Sequence, residues 1–195
     1  MINNSNSKVI CVVGMPGAGK SLVSDELAKQ GFLYLRFGQI TLDKIKELGL
    51  EPTEANERKI REDFRKEHGM AAFAILNIPK IDELLEKSNV VIDGLYSWSE
   101  YKVLKEKYGD RMYVLAVYAP PKLRYERLKN RKVEDDEKQR FRNLTEQDAK
   151  ARDYAEIENL EKGGPIAMAD FTVINSGTIE ELKDSVRKVL KSIEK

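Results

Sequence analysis

Val9-Ile10-Cys11-Val12-Val13-Gly14-Met15-Pro16-Gly17-Ala18-Gly19-Lys20-Ser21 is the stretch from which the rest of this chain can be read. Its first five residues form an unbroken apolar run rich in β-branched side chains, the pattern of a parallel strand buried on both faces. The next eight match G-x-x-x-x-G-K-[ST], and the spacing has a physical reason. Glycines let the backbone curl until successive N–H groups point inward at phosphate oxygens. A helix predicted over Ser21–Gln30 follows, with Leu22, Val23, Leu27 and Ala28 on one face and Gly31 at its C-terminal cap. Its unpaired N-terminal donors and positive dipole end face the same anion. Gly14, Met15, Pro16, Gly17, Ala18 and Gly19 are thus expected to cradle the phosphates of a nucleoside triphosphate. Lys20 is expected to reach the outer phosphates and the Ser21 hydroxyl to ligate Mg²⁺.

Outward from this unit, apolar runs alternate with helical patterns, which indicates an α/β domain with a mainly parallel sheet. Further strands are expected at Phe32–Phe37, Val90–Asp93, Met112–Ala119 and Phe171–Asn175. The last helix is predicted from Thr178, with Glu181 completing a capping box. Its apolar face is Ile179, Leu182, Val186, Val189, Leu190 and Ile193. Two segments break the alternation. Gly38–Ser88 is helical but too long for one crossover. Pro52 divides its first helix from one around Thr53–Lys66, and Pro79 is expected to begin a new helix after one carrying Met70, Phe73 and Leu76, since an internal proline costs about 3 kcal/mol. Arg131–Glu161 is highly charged, its larger apolar side chains limited to Val133, Phe141, Leu144, Tyr154, Ile157 and Leu160. It ends at Gly163-Gly164-Pro165, read as a helix stop, and suits a partly detached lid.

Val90–Asp93 places a carboxylate at the C-terminal end of a buried strand, where ligands gather in open parallel sheets. Asp93 is placed either to hold Mg²⁺ through water or to orient an attacking hydroxyl. Arg124, Arg127 and Arg131 share one helix face after Pro120-Pro121. Arg127 is placed to stack on a nucleobase and Arg131 to reach the transferring phosphate. The only histidine, His68, reads as a solvated residue at a helix C-terminus. The single Cys11 excludes an intramolecular disulfide, and with one His the sequence argues against a metal cluster of several His or Cys and against a Ser–His–Asp triad away from His68.

The chain has 195 residues, 34% charged and 41% hydrophobic, with a formal net charge of +1, and is expected to form a single cytoplasmic domain, monomeric or homodimeric. No apolar run approaches the roughly 20 residues of a membrane span. Interspersed charges and 8% aromatics give no footprint for nucleic acid.

The loop, the insertion after strand two, Val91–Gly94, Pro120-Pro121-Lys122 with the arginines, and Met168-Ala169-Asp170 occur in an order that resembles the nucleoside-monophosphate kinase superfamily of P-loop kinases. The similarity is strongest to archaeal adenylate-kinase-related proteins, with dephospho-CoA kinases more distant, and it covers essentially Lys8–Leu190. It implies a three-layer α/β/α P-loop NTPase fold with a five-stranded parallel sheet in the order 2-3-1-4-5. It also implies an acceptor-binding insertion at about 38–88 and a lid at about 131–161. Ile174-Asn175-Ser176-Gly177-Thr178 resembles the segment that contacts adenine, which makes Asn175 a candidate for ATP binding. Arg65 and Gly69 match a family arginine and glycine of the acceptor insertion.

The departures fall on the acceptor and lid sides. Gln39 and Leu42 stand where the family has an aspartate and an arginine after strand two. Tyr96 replaces an arginine after Asp93-Gly94, and Val133 and Gln147 replace lid arginines. Arg36, Arg58, Arg61, Lys132, Arg140, Arg142 and Arg152 are available to compensate. Gln39, Arg65 and Tyr96 are therefore the candidate acceptor contacts. The expected activity is γ-phosphoryl transfer to a nucleotide-like or other small acceptor. The alternative is an ATP-binding or slowly ATP-hydrolysing regulator that has lost the usual acceptor site.

Overall fold

Strand β1, Val9–Val13, is the centre of the sheet, and all five of its residues are fully buried. In this computed structural model, which describes residues 6–130 and 145–193, β1 pairs in parallel with β3 (Val90–Asp93) on one side and β4 (Met112–Tyr118) on the other. β2 (Leu33–Arg36) extends the sheet beyond β3, and β5 (Phe171–Ile174) beyond β4, giving the order 2-3-1-4-5, all parallel. Alternation along β1 sorts the two cores. Val9, Cys11 and Val13 pack with Phe37, Phe73, Ile81, Leu95 and Leu104 on one face. Ile10 and Val12 pack with Val23, Leu27, Leu115, Val186 and Leu190 on the other. The second core is covered by α1 (Lys20–Lys29) and α9 (Ile179–Ile193). The first is covered by α4 (Ala72–Leu85) and α5 (Trp98–Tyr108).

Between β2 and β3 the chain forms α2 (Gln39–Glu47), α3 (Glu54–His68, capped by the Thr53 hydroxyl) and α4. His68 ends α3 near Glu67, as its sequence position implied. Pro79 does not start a helix; it lies inside α4. Its missing N–H would have faced the carbonyl of Ile75, and both residues lie on the exposed side, where water can satisfy that oxygen. On the opposite side, buried Phe73, Ala74, Asn77, Ile81 and Leu85 run through the proline without a break. Burial of each large apolar side chain is worth about 1.5–3 kcal/mol, enough to carry the helix across. Asn77 Nδ2 also ties α4 to the end of β2, donating to the Phe37 carbonyl at 3.2 Å.

After β4 come α6 (Pro121–Lys129), α7 (Glu146–Leu160) and α8 (Gly163–Ala167). Residues 131–144 of the expected lid, with Arg131, Lys132, Val133, Arg140, Phe141, Arg142 and Leu144, lie outside the described residues. α7 reverses the expected burial. Tyr154 and Ile157 are exposed, whereas Ala149, Asp153 and Glu156 are buried. Gly163-Gly164-Pro165 opens α8 rather than stopping α7, because Glu161 takes the left-handed conformation (φ 52°) and turns the chain first. Ile179, expected within the apolar face of α9, is 55% exposed.

Candidate active site

The loop between β1 and α1 is held in place by contacts that leave no room for side chains. Gly17 has φ +78°, and a Cβ there would lie 2.7 Å from the Arg124 carbonyl oxygen. Gly19 has φ +102°, and its Cβ would lie 2.1 Å from Asn175 Nδ2. The same two neighbours hold the loop by hydrogen bonds. Arg124 donates to the Pro16 carbonyl at 2.9 Å and to that of Ala119 at 3.0 Å. Asn175 Nδ2 donates to the Ala18 carbonyl at 2.8 Å. Arg124 is itself fixed by Asp153 of α7 through two bonds of 3.0 and 2.6 Å, and Tyr125 adds a third bond to that carboxylate at 3.0 Å. Arg124, the first of the three arginines predicted to share a helix face, is thus a buried clamp on the loop.

Lys20 opens α1 and folds back so that its ammonium donates to the carbonyls of Gly14 and Met15, at 2.9 and 3.2 Å. Burial, with the charge of Lys162 next in weight, pulls its pKa from 10.5 down to about 7. Pro16, Gly17, Gly19, Lys20 and Ser21 line a cavity of about 360 Å³. Gly14, Met15 and Ala18 do not line it; their carbonyls accept from Lys20 and Asn175.

Opposite the loop stands Asp93, 7% exposed at the end of β3 and in register with Val12. The Tyr34 hydroxyl donates to its Oδ2 at 2.9 Å. Tyr96 lines the same cavity three residues on. Burial first, and the nearby Asp93 carboxylate second, push its phenol up to about 12, so it remains a neutral hydroxyl. At the far wall, Arg127 donates to Asn175 Oδ1 at 3.4 Å, and its Nη1 is buried without a hydrogen-bond partner among the described residues. Leu22 and Ile179, both largely exposed, flank the cavity on this side and offer apolar surface to a flat ring.

The third wall comes from α7 and its connection to α8: Arg152, Glu156 and Lys162. Lys162 is 1% exposed and its ammonium is in contact with the Glu156 carboxylate. Arg152 Nε donates to the other oxygen of Glu156 at 3.0 Å. Burial alone would raise the Glu156 carboxyl, but Lys162, Arg152 and Lys20 together hold it down at about 2. Lys162 Nζ also lies 5.0 Å from the centre of the Tyr96 ring.

Lys20, Ser21, Asp93, Tyr96, Arg127 and Asn175, all read from the sequence, therefore meet in one cavity, joined by Arg36 and Arg152 from the compensating set. Gln39 does not line it; its side chain is exposed and bonded to Asp43 at 3.0 Å, one turn along α2. Nor does Arg65, which sits 5.4 Å from the Phe73 ring with a buried Nε that has no partner among the described residues. Arg58 pairs with Glu62 at 2.8 Å, and Arg61 with Glu54 and Glu57 at 2.6 and 3.1 Å, along α3 itself. Lys162 and Glu156 were not foreseen. Their signal was present in the charged residues at helical spacing with Ala149, namely Arg152, Asp153 and Glu156.

Two hard oxygen donors, Ser21 and Asp93, face this cavity. They fit Mg²⁺, which takes one or two protein oxygens and completes its shell with phosphate and water. Among the described residues no group of three or more His, Cys, Asp or Glu side chains could hold a metal by itself. Also among them, no helix is long and apolar enough to cross a membrane.

Residues 10–151 match the family model described as an AAA domain. A UPF0200 protein from Thermococcus gammatolerans is 38% identical over 187 residues, covering 95% of each chain. A UPF0200 protein from Sulfurisphaera tokodaii is 35% identical, covering 95% of this chain and 97% of its own. Among solved structures, a gluconokinase from Sinorhizobium meliloti superposes with a TM-score of 0.59 at 15% identity, covering 97% of this chain and 95% of its own. A shikimate kinase from Acinetobacter baumannii in complex with shikimate gives 0.53 at 19% identity, covering 96% and 93%. These structures share the fold, and the sequence relatives supply the family: the chain belongs to the UPF0200 proteins and has a P-loop kinase fold.

Proposed function

We propose that this protein is an ATP-dependent phosphotransferase of the nucleoside-monophosphate-kinase type, acting on a small acceptor that carries its own negative charge. The observation that carries this reading is the meeting of an intact triphosphate loop with Asp93, Tyr96, Arg36 and Arg152 in one cavity. A protein that only holds a nucleotide needs the loop; a second set of charged groups facing it suits a second, anionic substrate. In this reading the base lies between Arg127 and the apolar surface of Leu22 and Ile179, and the loop N–H groups and Lys20 take the phosphates. Ser21 would hold Mg²⁺ directly and Asp93 through water, and the ion would supply positive charge to the phosphates. An acceptor oxygen forms a bond to the γ-phosphorus as the bond to the bridging oxygen breaks, and that electron pair leaves with ADP. Where the acceptor is a hydroxyl, its proton passes to the Asp93 carboxylate, which Tyr34 orients.

A second reading, an ATP-binding or slowly hydrolysing regulator, draws on the α2–α3 surface. There Gln39, Arg58 and Arg61 are engaged with acidic residues of their own helices. A coupled assay with AMP, CMP, UMP, dCMP and dephospho-CoA separates the two. Acceptor-dependent ADP release supports the kinase; slow hydrolysis indifferent to every acceptor supports the regulator.

A further inference from the structure

Lys162 is a fully buried ammonium in a place where local folding alone does not require one. It lies six residues beyond Glu156, too far along for the two to share a helix face. The left-handed turn at Glu161 brings it back, with the Lys162 N–H bonded to the Glu156 carbonyl at 3.2 Å. Next along the chain, Gly164 lies against Trp98 so closely that a Cβ would meet the ring at 2.8 Å, which anchors the turn to α5. The ammonium is thus mounted on the folded core.

Its surroundings set it apart from a simple structural pair. A buried ion pair is often no better than apolar packing of the same size. Here the pair also lines the same cavity as a second buried ammonium, Lys20, whose proton affinity is lowered first by burial and next by Lys162, with Glu156 opposing. Counting Arg36, Arg127 and Arg152 with the two lysines, cations outnumber the carboxylates of Asp93 and Glu156 along the cavity walls among the described residues. Such an arrangement is relieved when a multiply charged anion enters. Lys162 acts electrostatically on both Lys20 and Glu100, and its ammonium lies over Tyr96. Lys162 thus lines the cavity that holds Lys20 of the triphosphate loop, with its ammonium against Tyr96 on the acceptor side.

We propose that Lys162 is a catalytic residue, a second lysine whose ammonium takes the oxygens of the transferring γ-phosphoryl group. The proposal rests on the kinase reading of the cavity. Before transfer the ammonium is held by Glu156. As the bond from the γ-phosphorus to ADP loosens and the bond to the acceptor oxygen forms, charge spreads over the three equatorial oxygens. Lys162 meets that charge while keeping its own proton throughout. The bridging electron pair leaves on ADP, and the proton of a hydroxyl acceptor goes to Asp93. A fixed lysine would then perform the work expected of an arginine at position 96.

The test compares MgADP with MgADP plus aluminium fluoride, a mimic of the transferring phosphoryl group, by calorimetric titration. Lys162→Met should bind MgADP within about threefold of the wild type and the fluoride complex about a hundredfold more weakly, the usual loss when one preorganised donor is removed. The double variant Lys162→Gln/Glu156→Gln removes the buried ammonium and its carboxylate together, leaves the net charge unchanged with the half-exposed Arg152 in place, and should show the same selective loss even if the single variant is poorly folded. Variants that hold the fluoride complex as tightly as the wild type would show that Lys162 is a structural cation and overturn the proposal while leaving the kinase reading intact. A wild-type protein that binds MgADP but does not tighten with fluoride would remove the kinase reading, and the proposal with it.

Discussion

Asp153→Asn is the substitution that most directly tests how the fold holds its phosphate loop. The Arg124 and Asp153 side chains are 5% and 6% exposed, and their bond of 2.6 Å joins α6 to α7. Asparagine keeps the shape but presents one amide donor to a site with three donors: two Arg124 nitrogens and the Tyr125 hydroxyl. The guanidinium then stays buried without a counter-charge, which costs about 3–5 kcal/mol. For a chain of this length that is a fall in Tm of roughly 7–12 °C. The effect should reach the ligand, because Arg124 also holds the Pro16 carbonyl at 2.9 Å and its backbone stands against Gly17. MgATP affinity should therefore drop along with stability. Replacing both partners, as Arg124→Met with Asp153→Leu, should recover part of the stability and none of the grip on Pro16. Thermal and urea unfolding measure the first effect and calorimetric titration the second. If Asp153→Asn remains within about 1 kcal/mol of the wild type, with unchanged MgATP affinity, the clamp is refuted.

Three further outcomes follow from other parts of the fold. Lys20 sits among Lys162, Glu156, Asp93 and Arg152, with its pKa lowered to about 7, so above that pH the free protein holds a neutral amine that MgATP must recharge. Binding should take up about 0.9 proton at pH 8 and about 0.1 at pH 6, with affinity falling close to tenfold per unit above neutrality. Titration in buffers of different ionisation enthalpy reads this directly, and zero uptake at pH 8 would contradict it. The same group should make stability rise between pH 7 and 10.5, where the unfolded chain binds the extra proton. Separately, Pro79→Ala restores a donor toward the Ile75 carbonyl on an exposed helix face and should stabilise the fold by about 1–3 kcal/mol, seen as a higher urea midpoint.

Features fixed by local chemistry were legible in the sequence. β1, the loop and α1 follow from an apolar run, three glycines and one lysine, and the strand ending at Asp93 follows from four apolar or acidic letters. What depended on tertiary partners was not legible. Proline propensity misplaced a boundary inside α4 because core contacts on its other face outweigh one missing hydrogen bond. Apolar content marks α7 as poor in core residues, while its buried side is charged and satisfied by Arg124 and Lys162. Ile179 was read into a core face by periodicity and instead borders the cavity, which spacing alone does not distinguish. Gln39 was placed by alignment to a family position, and its side chain turns to Asp43. Lys162 needed knowledge of a left-handed residue at Glu161, a conformation that sequence letters for glutamate do not announce.

The central claim, phosphoryl transfer from ATP to a small anionic acceptor, is met most directly by following γ-labelled ATP with Mg²⁺ through the acceptor panel. Label should appear in one organic product with ADP in equal amount, and both should be lost in Lys20→Ala. Label found only in inorganic phosphate with every acceptor, from a protein that binds MgATP tightly, would contradict it.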